Sequence, residues 1–225
     1  MTASQRTRIK ICGLTRPDDI QSAVGAGADA IGLVFYPPSR RCVTLAQAAE
    51  LRAQVPSFVS VVALFVNPQR AEVCQVLDAV RPDLLQFHGD EPADFCRQFG
   101  ARYLKAFRVG APGLDSADGV RSACQAYADA SGWLFDSYSP AYGGSGQRLD
   151  AALLERVSRD DTAPALVLSG GLTADTVGRD IALWHPFAVD VSSGVETAPG
   201  LKDAAKIQAF VQAVQAADRQ RCGLH

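Results

Sequence analysis

The feature that most constrains this chain is a strict alternation of short apolar runs with longer stretches of helical period. The apolar runs cover residues 9–12, 30–35, 59–66, 84–88, 103–108, 133–136, 165–169 and 187–191. The spacing predicts helices over 16–26, 45–54, 68–80, 92–99, 117–128, 149–157, 174–181 and 202–217. Uninterrupted apolar runs suit strands buried on both faces, and parallel strands need crossovers of the length these helices supply. Eight such units in 225 residues fit a closed (β/α)8 TIM barrel, somewhat below its typical length of about 250 residues. The alternative, an open doubly wound sheet, lacks the Gly-rich dinucleotide fingerprint expected after one of its strands. Helix boundaries agree: Pro17, Pro68 and Pro92 fall near first turns, Thr44 and Thr173 stand where N-caps belong, and Gly100 suits a left-handed C-terminal position.

The chain reads as a single domain over residues 1–225, with 1–7 and 219–225 expected to fray. Hydrophobic residues make up 48%, enough for a sizeable core. With 22 Lys and Arg against 24 Asp and Glu the net charge is −2, and no basic run forms a nucleic-acid-binding face. An anionic ligand must therefore be held by a few placed groups. The N-terminal stretch is polar rather than signal-like, and no apolar stretch reaches the ~20 residues of a membrane span. These features place the chain in the cytoplasm, as a monomer or homodimer without membrane or nucleic-acid partners. The six cysteines, at 12, 42, 74, 96, 124 and 222, show no CxxC spacing. Most read as small apolar fillers, Cys124 on the core face of a helix.

In a barrel, chemistry gathers at the C-terminal ends of the strands. Here those ends carry Cys12-Gly13, His88-Gly89, Asp136-Ser137, Ser169-Gly170-Gly171 and Asp190-Val191-Ser192-Ser193-Gly194. Gly170 and Gly171, with Ser193 and Gly194, lie after the last two strands, where barrels commonly bind phosphate through backbone N–H groups and helix N-termini. Either loop alone reads as a tight turn; the two together favour a phosphate. Gly143, Gly144, Ser145 and Gly146 form a third glycine cluster, a substrate-covering loop or a flexible connector. Cys12 and Asp136 are the candidate acid/base pair. A thiol near ~8.5 can be tuned toward a thiolate, while a carboxyl near ~3.9 needs desolvation or charge sharing to act as an acid. One proton shared between them gives thiolate plus carboxylic acid, a state suited to proton transfer at two points of a sugar. Lys10 lies on the face of Cys12 and can pair with Asp190 across the closure of the barrel. His88 holds a substrate polar group or a loop carbonyl, and His185 is structural. Arg40 or Arg41 can clamp a carboxylate.

These residues, in order and in register with eight strands, resemble the phosphoribosylanthranilate isomerase family. The resemblance rests on Lys10-Ile11-Cys12-Gly13, Gly27-Ala28-Asp29, Ser39-Arg40-Arg41, Gln86-Phe87-His88-Gly89, Asp136 with the 143–146 loop, Ser169-Gly170-Gly171-Leu172 and the stretch from Asp190 to Glu196, and it covers nearly the whole chain. It implies an Amadori rearrangement with Asp136 as general acid and Cys12 as general base. It further implies Arg41 at the anthranilate carboxylate, His88 and Asp190 lining the pocket, the glycine loops on the phosphate, and neither metal nor organic cofactor. Cys42, Phe87 and Ala151 depart from the family pattern, which would have an aromatic, an aliphatic residue and a nearby Trp respectively. Competing readings are a pentose-phosphate epimerase, which would want paired metal ligands, a histidine-pathway isomerase with an Asp in place of Cys12, and a non-catalytic sugar-phosphate binder.

Overall fold

The computed structural model describes residues 6–138, 151–154, 157 and 163–222. Its strands are β1 (Arg8–Cys12), β2 (Ala30–Val34), β3 (Ser60–Phe65), β4 (Leu84–Phe87), β5 (Tyr103–Val109), β6 (Gly132–Ser137), β7 (Ala165–Leu168) and β8 (Ala188–Val191). They pair in sequence order, all parallel, and β1 closes on β8. The (β/α)8 barrel predicted from the alternation is therefore the observed fold. The helices are α1 (Pro17–Ala26), α2 (Leu45–Ala53), α3 (Arg70–Val80), α4 (Ala93–Arg97), α5 (Ala117–Gln125), α6 (Ala174–Trp184) and α7 (Ala204–Cys222).

The caps follow the chemistry of the boundary residues. Pro17 opens α1, and Gly27 closes it in the left-handed region at φ 102°. The Thr44 side chain accepts a hydrogen bond from the Gln47 backbone N–H at the start of α2. Thr173 and Thr176 form a reciprocal capping pair at the start of α6.

Three sequence expectations change. Of the helix expected over 149–157, the described residues show a 3-10 turn, Ala151–Leu154, whose buried Leu154 anchors it to the core. The last helix starts at Ala204 rather than at Lys202, because the Asp203 carboxylate accepts from the Lys206 backbone N–H and caps it. Lys202 instead belongs to a small hairpin, β9 (Glu196–Ala198) and β10 (Leu201–Lys202). At the other end, α7 runs on through Cys222, past the expected start of fraying. The Asp218 carboxylate there accepts from the Thr7 N–H at 2.7 Å and the Thr7 hydroxyl at 2.8 Å, pinning the stretch before β1 to α7.

Period-2 alternation sorts each strand between two cores. Outward residues such as Ile9, Ile11, Ile31, Leu33, Phe65 and Phe135 pack under the helices. Phe87, the departure from the aliphatic pattern, belongs to this outer layer: it is fully buried, stacks with Phe65 and Phe99 and meets Phe95 and Tyr103 edge-to-face, all at ring separations near 6 Å. The inward face divides in two. Ala106, Leu134 and Val167 fill the barrel on one side, while Cys12, Val34, Leu64 and Val66 form an apolar group with Tyr36.

Candidate active site

The C-terminal mouth of the barrel opens into a pocket of about 700 Å³, counting the space open to solvent. Cys12 from β1 and Asp136 from β6 both line it, three strands apart round the barrel. His88, Arg41, Asp190, Gly170, Gly171, Ser193 and Gly194 border the same space. Gly143, Gly144, Ser145 and Gly146 lie outside the described residues.

Beneath Cys12, the β1–β8 register sets Lys10 abreast of Asp190. The ion pair forms inside the barrel, with Lys10 Nζ donating to both Asp190 oxygens at 2.9 Å. Both side chains are 5% exposed. Asp190 thus borders the pocket with its carboxylate already engaged. Burial alone would lower the Lys10 ammonium, but the charges of Asp190 and Cys12 outweigh it and hold the group above its ordinary value. Room for this arrangement comes from Gly32 on β2. A Cβ there would sit 2.7 Å from Cys12 Sγ and 3.1 Å from Lys10 Nζ, too close for any side chain without displacing both. Replacing Lys10 by Met leaves the Asp190 carboxylate buried without its partner, and a destabilisation of about 3–5 kcal/mol is expected. Denaturant unfolding at neutral pH checks this, and an unchanged midpoint would contradict it.

Burial also pushes the Cys12 thiol above its ordinary value, with the Lys10 ammonium pulling the other way without prevailing. In the free protein the proton therefore stays on sulfur at neutral pH, and thiolate grows only as the pH rises past the ordinary thiol range. Iodoacetamide labelling of Cys12, read by peptide mass spectrometry, should keep accelerating through ~8.5, the value of an unperturbed thiol. A plateau at or below that pH would contradict the direction of the shift.

On the opposite wall, three side chains form a chain of hydrogen bonds. Gln86 Nε2 lies 3.1 Å from His88 Nδ1, and His88 Nε2 lies 3.2 Å from Asp136 Oδ2. If the Gln86 amide donates to Nδ1, the neutral imidazole carries its proton on Nε2 and donates it to the Asp136 carboxylate. His88 therefore meets Asp136 rather than a loop carbonyl. The sequence reading gives Gln86 no role of its own, although its place two residues before His88 on the inward face is the available signal.

The β7 loop crosses Asp136 closely. A Cβ at Gly170, where φ is +81°, would lie 2.7 Å from Asp136 Oδ1 and 2.6 Å from the Ser137 N atom. Only glycine combines that approach with that backbone. Behind Gly170 and Gly171 stands the N-terminus of α6, and Ser193 and Gly194 form the 3-10 turn Ser193–Val195 after β8. The residues leading into α6 and the turn after β8 thus border the pocket together, and the N-terminus of a helix carries a positive partial charge.

Arg41 borders the same pocket, whose lining also includes the apolar residues Val34, Tyr36, Leu64 and Val66. Its Nε and Nη2 donate to the two Glu196 oxygens at 2.8 and 2.7 Å. Burial would raise the Glu196 carboxyl, but Arg41 and Lys202 outweigh it and hold the group below its usual range. The sequence assigns no separate role to Glu196 or Lys202, because both lie in a short hairpin without a periodic signature. Arg40 is exposed, and His185 caps α6 in the left-handed region at φ 47°, away from the pocket. Among the described residues no group of three or more His, Cys, Asp or Glu side chains is placed to hold a metal ion.

Fold and pocket define a (β/α)8-barrel enzyme whose ligand site lies at the C-terminal mouth. The family model for N-(5'-phosphoribosyl)anthranilate (PRA) isomerase matches residues 9–213, and the chain belongs to that family. N-(5'-phosphoribosyl)anthranilate isomerase of Bordetella pertussis is 61% identical over 214 residues, covering 95% of this chain and 98% of that protein. Among solved structures, phosphoribosyl anthranilate isomerase from Thermotoga maritima superposes with a TM-score of 0.84 at 37% identity, over 93% of this chain and 99% of that one. A phosphoribosyl anthranilate isomerase in complex with reduced 1-(o-carboxyphenylamino)-1-deoxyribulose 5-phosphate gives a TM-score of 0.80 at 34% identity, over 93% and 99% of the two chains.

Proposed function

We propose that this pocket isomerises N-(5-phosphoribosyl)anthranilate to 1-(2-carboxyphenylamino)-1-deoxyribulose 5-phosphate, a step of tryptophan biosynthesis, by general acid and base catalysis. The observation that carries the reading is the placement of Cys12 and Asp136 on separate strands facing one pocket, which is also lined by glycine loops, an arginine and an apolar group. The glycine loops after β7 and β8 suit the phosphate. The apolar group together with Arg41 suits an aromatic ring bearing a carboxylate.

In the substrate complex the single proton of the pair passes from the Cys12 thiol to the Asp136 carboxylate, and Asp136, now a carboxylic acid, gives it to the furanose ring oxygen as the C1–O bond breaks. The nitrogen lone pair forms a C1=N bond, so the substrate becomes a protonated Schiff base. Cys12, as thiolate, takes the C2 proton; the C2–H electrons form C1=C2, and the C=N electron pair returns to nitrogen. The resulting enolamine gains a proton at C1, loses one from the C2 hydroxyl and becomes the ketone. The Schiff base is the electron sink, which is why no organic cofactor is called for. Lys10 beneath the thiol stabilises its anionic form, and His88 holds the Asp136 carboxylate in place.

We read the chain as a monomer or a homodimer; a similar phosphoribosylanthranilate isomerase from Thermotoga maritima is described as dimeric, with generated monomers. Among the described residues no helix is long and apolar enough to cross a membrane. Cys12, Cys42, Cys74, Cys96 and Cys124 are free thiols, in keeping with a reducing cytoplasm. Complementation tests the activity in a cell: a tryptophan auxotroph lacking this isomerase should grow without tryptophan when it expresses this chain. Failure to grow despite soluble expression would overturn the reading.

A further inference from the structure

Glu196 is the hub of a buried cluster that the proton-transfer steps do not use. Its side chain is 4% exposed, and its Oε1 accepts from Arg41 Nε at 2.8 Å, Lys202 Nζ at 2.8 Å and the Gly200 N–H at 3.3 Å. Its Oε2 accepts from Arg41 Nη2 at 2.7 Å. Lys202, whose side chain is fully buried, also donates to the Ser192 carbonyl at 3.0 Å, next to the pocket wall. Sterics confine Arg41 from the other side: a Cβ at Gly13 would fall 2.5 Å from Arg41 Cδ.

A guanidinium has five N–H groups in a rigid plane. Glu196 takes the edge formed by Nε and Nη2, which leaves both Nη1 protons and one Nη2 proton, the edge able to grip a second carboxylate end-on. The charges are arranged to match. Arg41 paired with Glu196 alone would be neutral and would attract no anion, but with Lys202 the cluster carries a net +1.

We propose that Glu196 is a specificity-determining positioning residue, which fixes the Arg41 fork so that its free edge takes the carboxylate of the substrate's aromatic ring. The inference rests on the reading of Arg41 as the carboxylate partner. Lys202 completes the device by offsetting the Glu196 charge, so that orientation is gained without cancelling the attraction.

The test separates orientation from charge. In the double variant Glu196→Gln with Lys202→Met the fork loses its holder, yet the cluster charge stays +1 and only the Arg41 guanidinium, which borders the pocket, is left without a carboxylate partner. Two inhibitors are compared: reduced 1-(o-carboxyphenylamino)-1-deoxyribulose 5-phosphate and the same molecule without its carboxylate. The wild type should prefer the carboxylated ligand by roughly tenfold or more, as expected for paired charge-assisted hydrogen bonds. The double variant should lose most of that preference while its affinity for the uncarboxylated ligand stays within about threefold, a ratio that a general loss of stability does not mimic. Glu196→Asp keeps every charge and shortens the arm by one methylene, and it should lose part of the preference even if the double variant folds poorly. Arg41→Met is the control. If it abolishes the preference while both Glu196 variants keep the wild-type ratio, the positioning role is overturned and the Arg41 reading stands. If Arg41→Met itself keeps the ratio, both fall.

Discussion

Replacing Cys12 by alanine is expected to lower kcat by ~10²- to 10⁴-fold, the range a positioned general base contributes, with the fold unchanged. The fold should survive because the thiol stands at the mouth of the barrel, in the small apolar group with Val34, Leu64 and Val66, and not in the main core under the helices. Alanine removes a single sulfur there and leaves the Lys10–Asp190 pair intact. Binding of a product analogue should change little, since the proposed reading gives phosphate and carboxylate to other residues of the pocket. Steady-state turnover together with a thermal melt checks both halves. A folded variant with wild-type kcat would remove Cys12 from the chemistry.

Asp136→Asn is expected to cost a similar ~10²- to 10⁴-fold in kcat, for a different reason. The amide fills the same space and its oxygen can still accept from His88 Nε2, so the hydrogen-bonded chain from Gln86 can persist. What disappears is the proton delivered to the ring oxygen. The loss should therefore fall on ring opening, and KM for the substrate should move far less than kcat. A large rise in KM at unchanged kcat would instead make Asp136 a binding group.

Both side chains are legible in the amino-acid sequence because their positions are unusual for their type. A Cys and an Asp each end an apolar run, and in a barrel that is where side chains turn from the core to the pocket. The Lys10–Asp190 pair is legible for the same reason, since alternation places both inside and closure of the barrel makes β1 and β8 neighbours. Glu196 and Lys202 are not, because what joins them is the turn of a two-stranded hairpin and a helix start moved by Asp203, neither of which has a period to detect. Gln86 is hidden differently: a single amide in an apolar strand signals only that it shares the inward face with His88, and its meaning comes from the imidazole it meets. Phe87 teaches the same lesson. Sequence alone sets it beside the catalytic motif, whereas the pleat turns it out among the aromatic rings under the helices.

Turnover of freshly generated N-(5-phosphoribosyl)anthranilate by the purified wild-type chain, followed by fluorescence, tests the assigned chemistry most directly. Catalytic amounts of folded protein should convert many equivalents to the deoxyribulose phosphate product. A folded protein that binds the reduced product analogue yet turns over no substrate would contradict the assignment, leaving the pocket a binding site without the proton transfers given to Cys12 and Asp136.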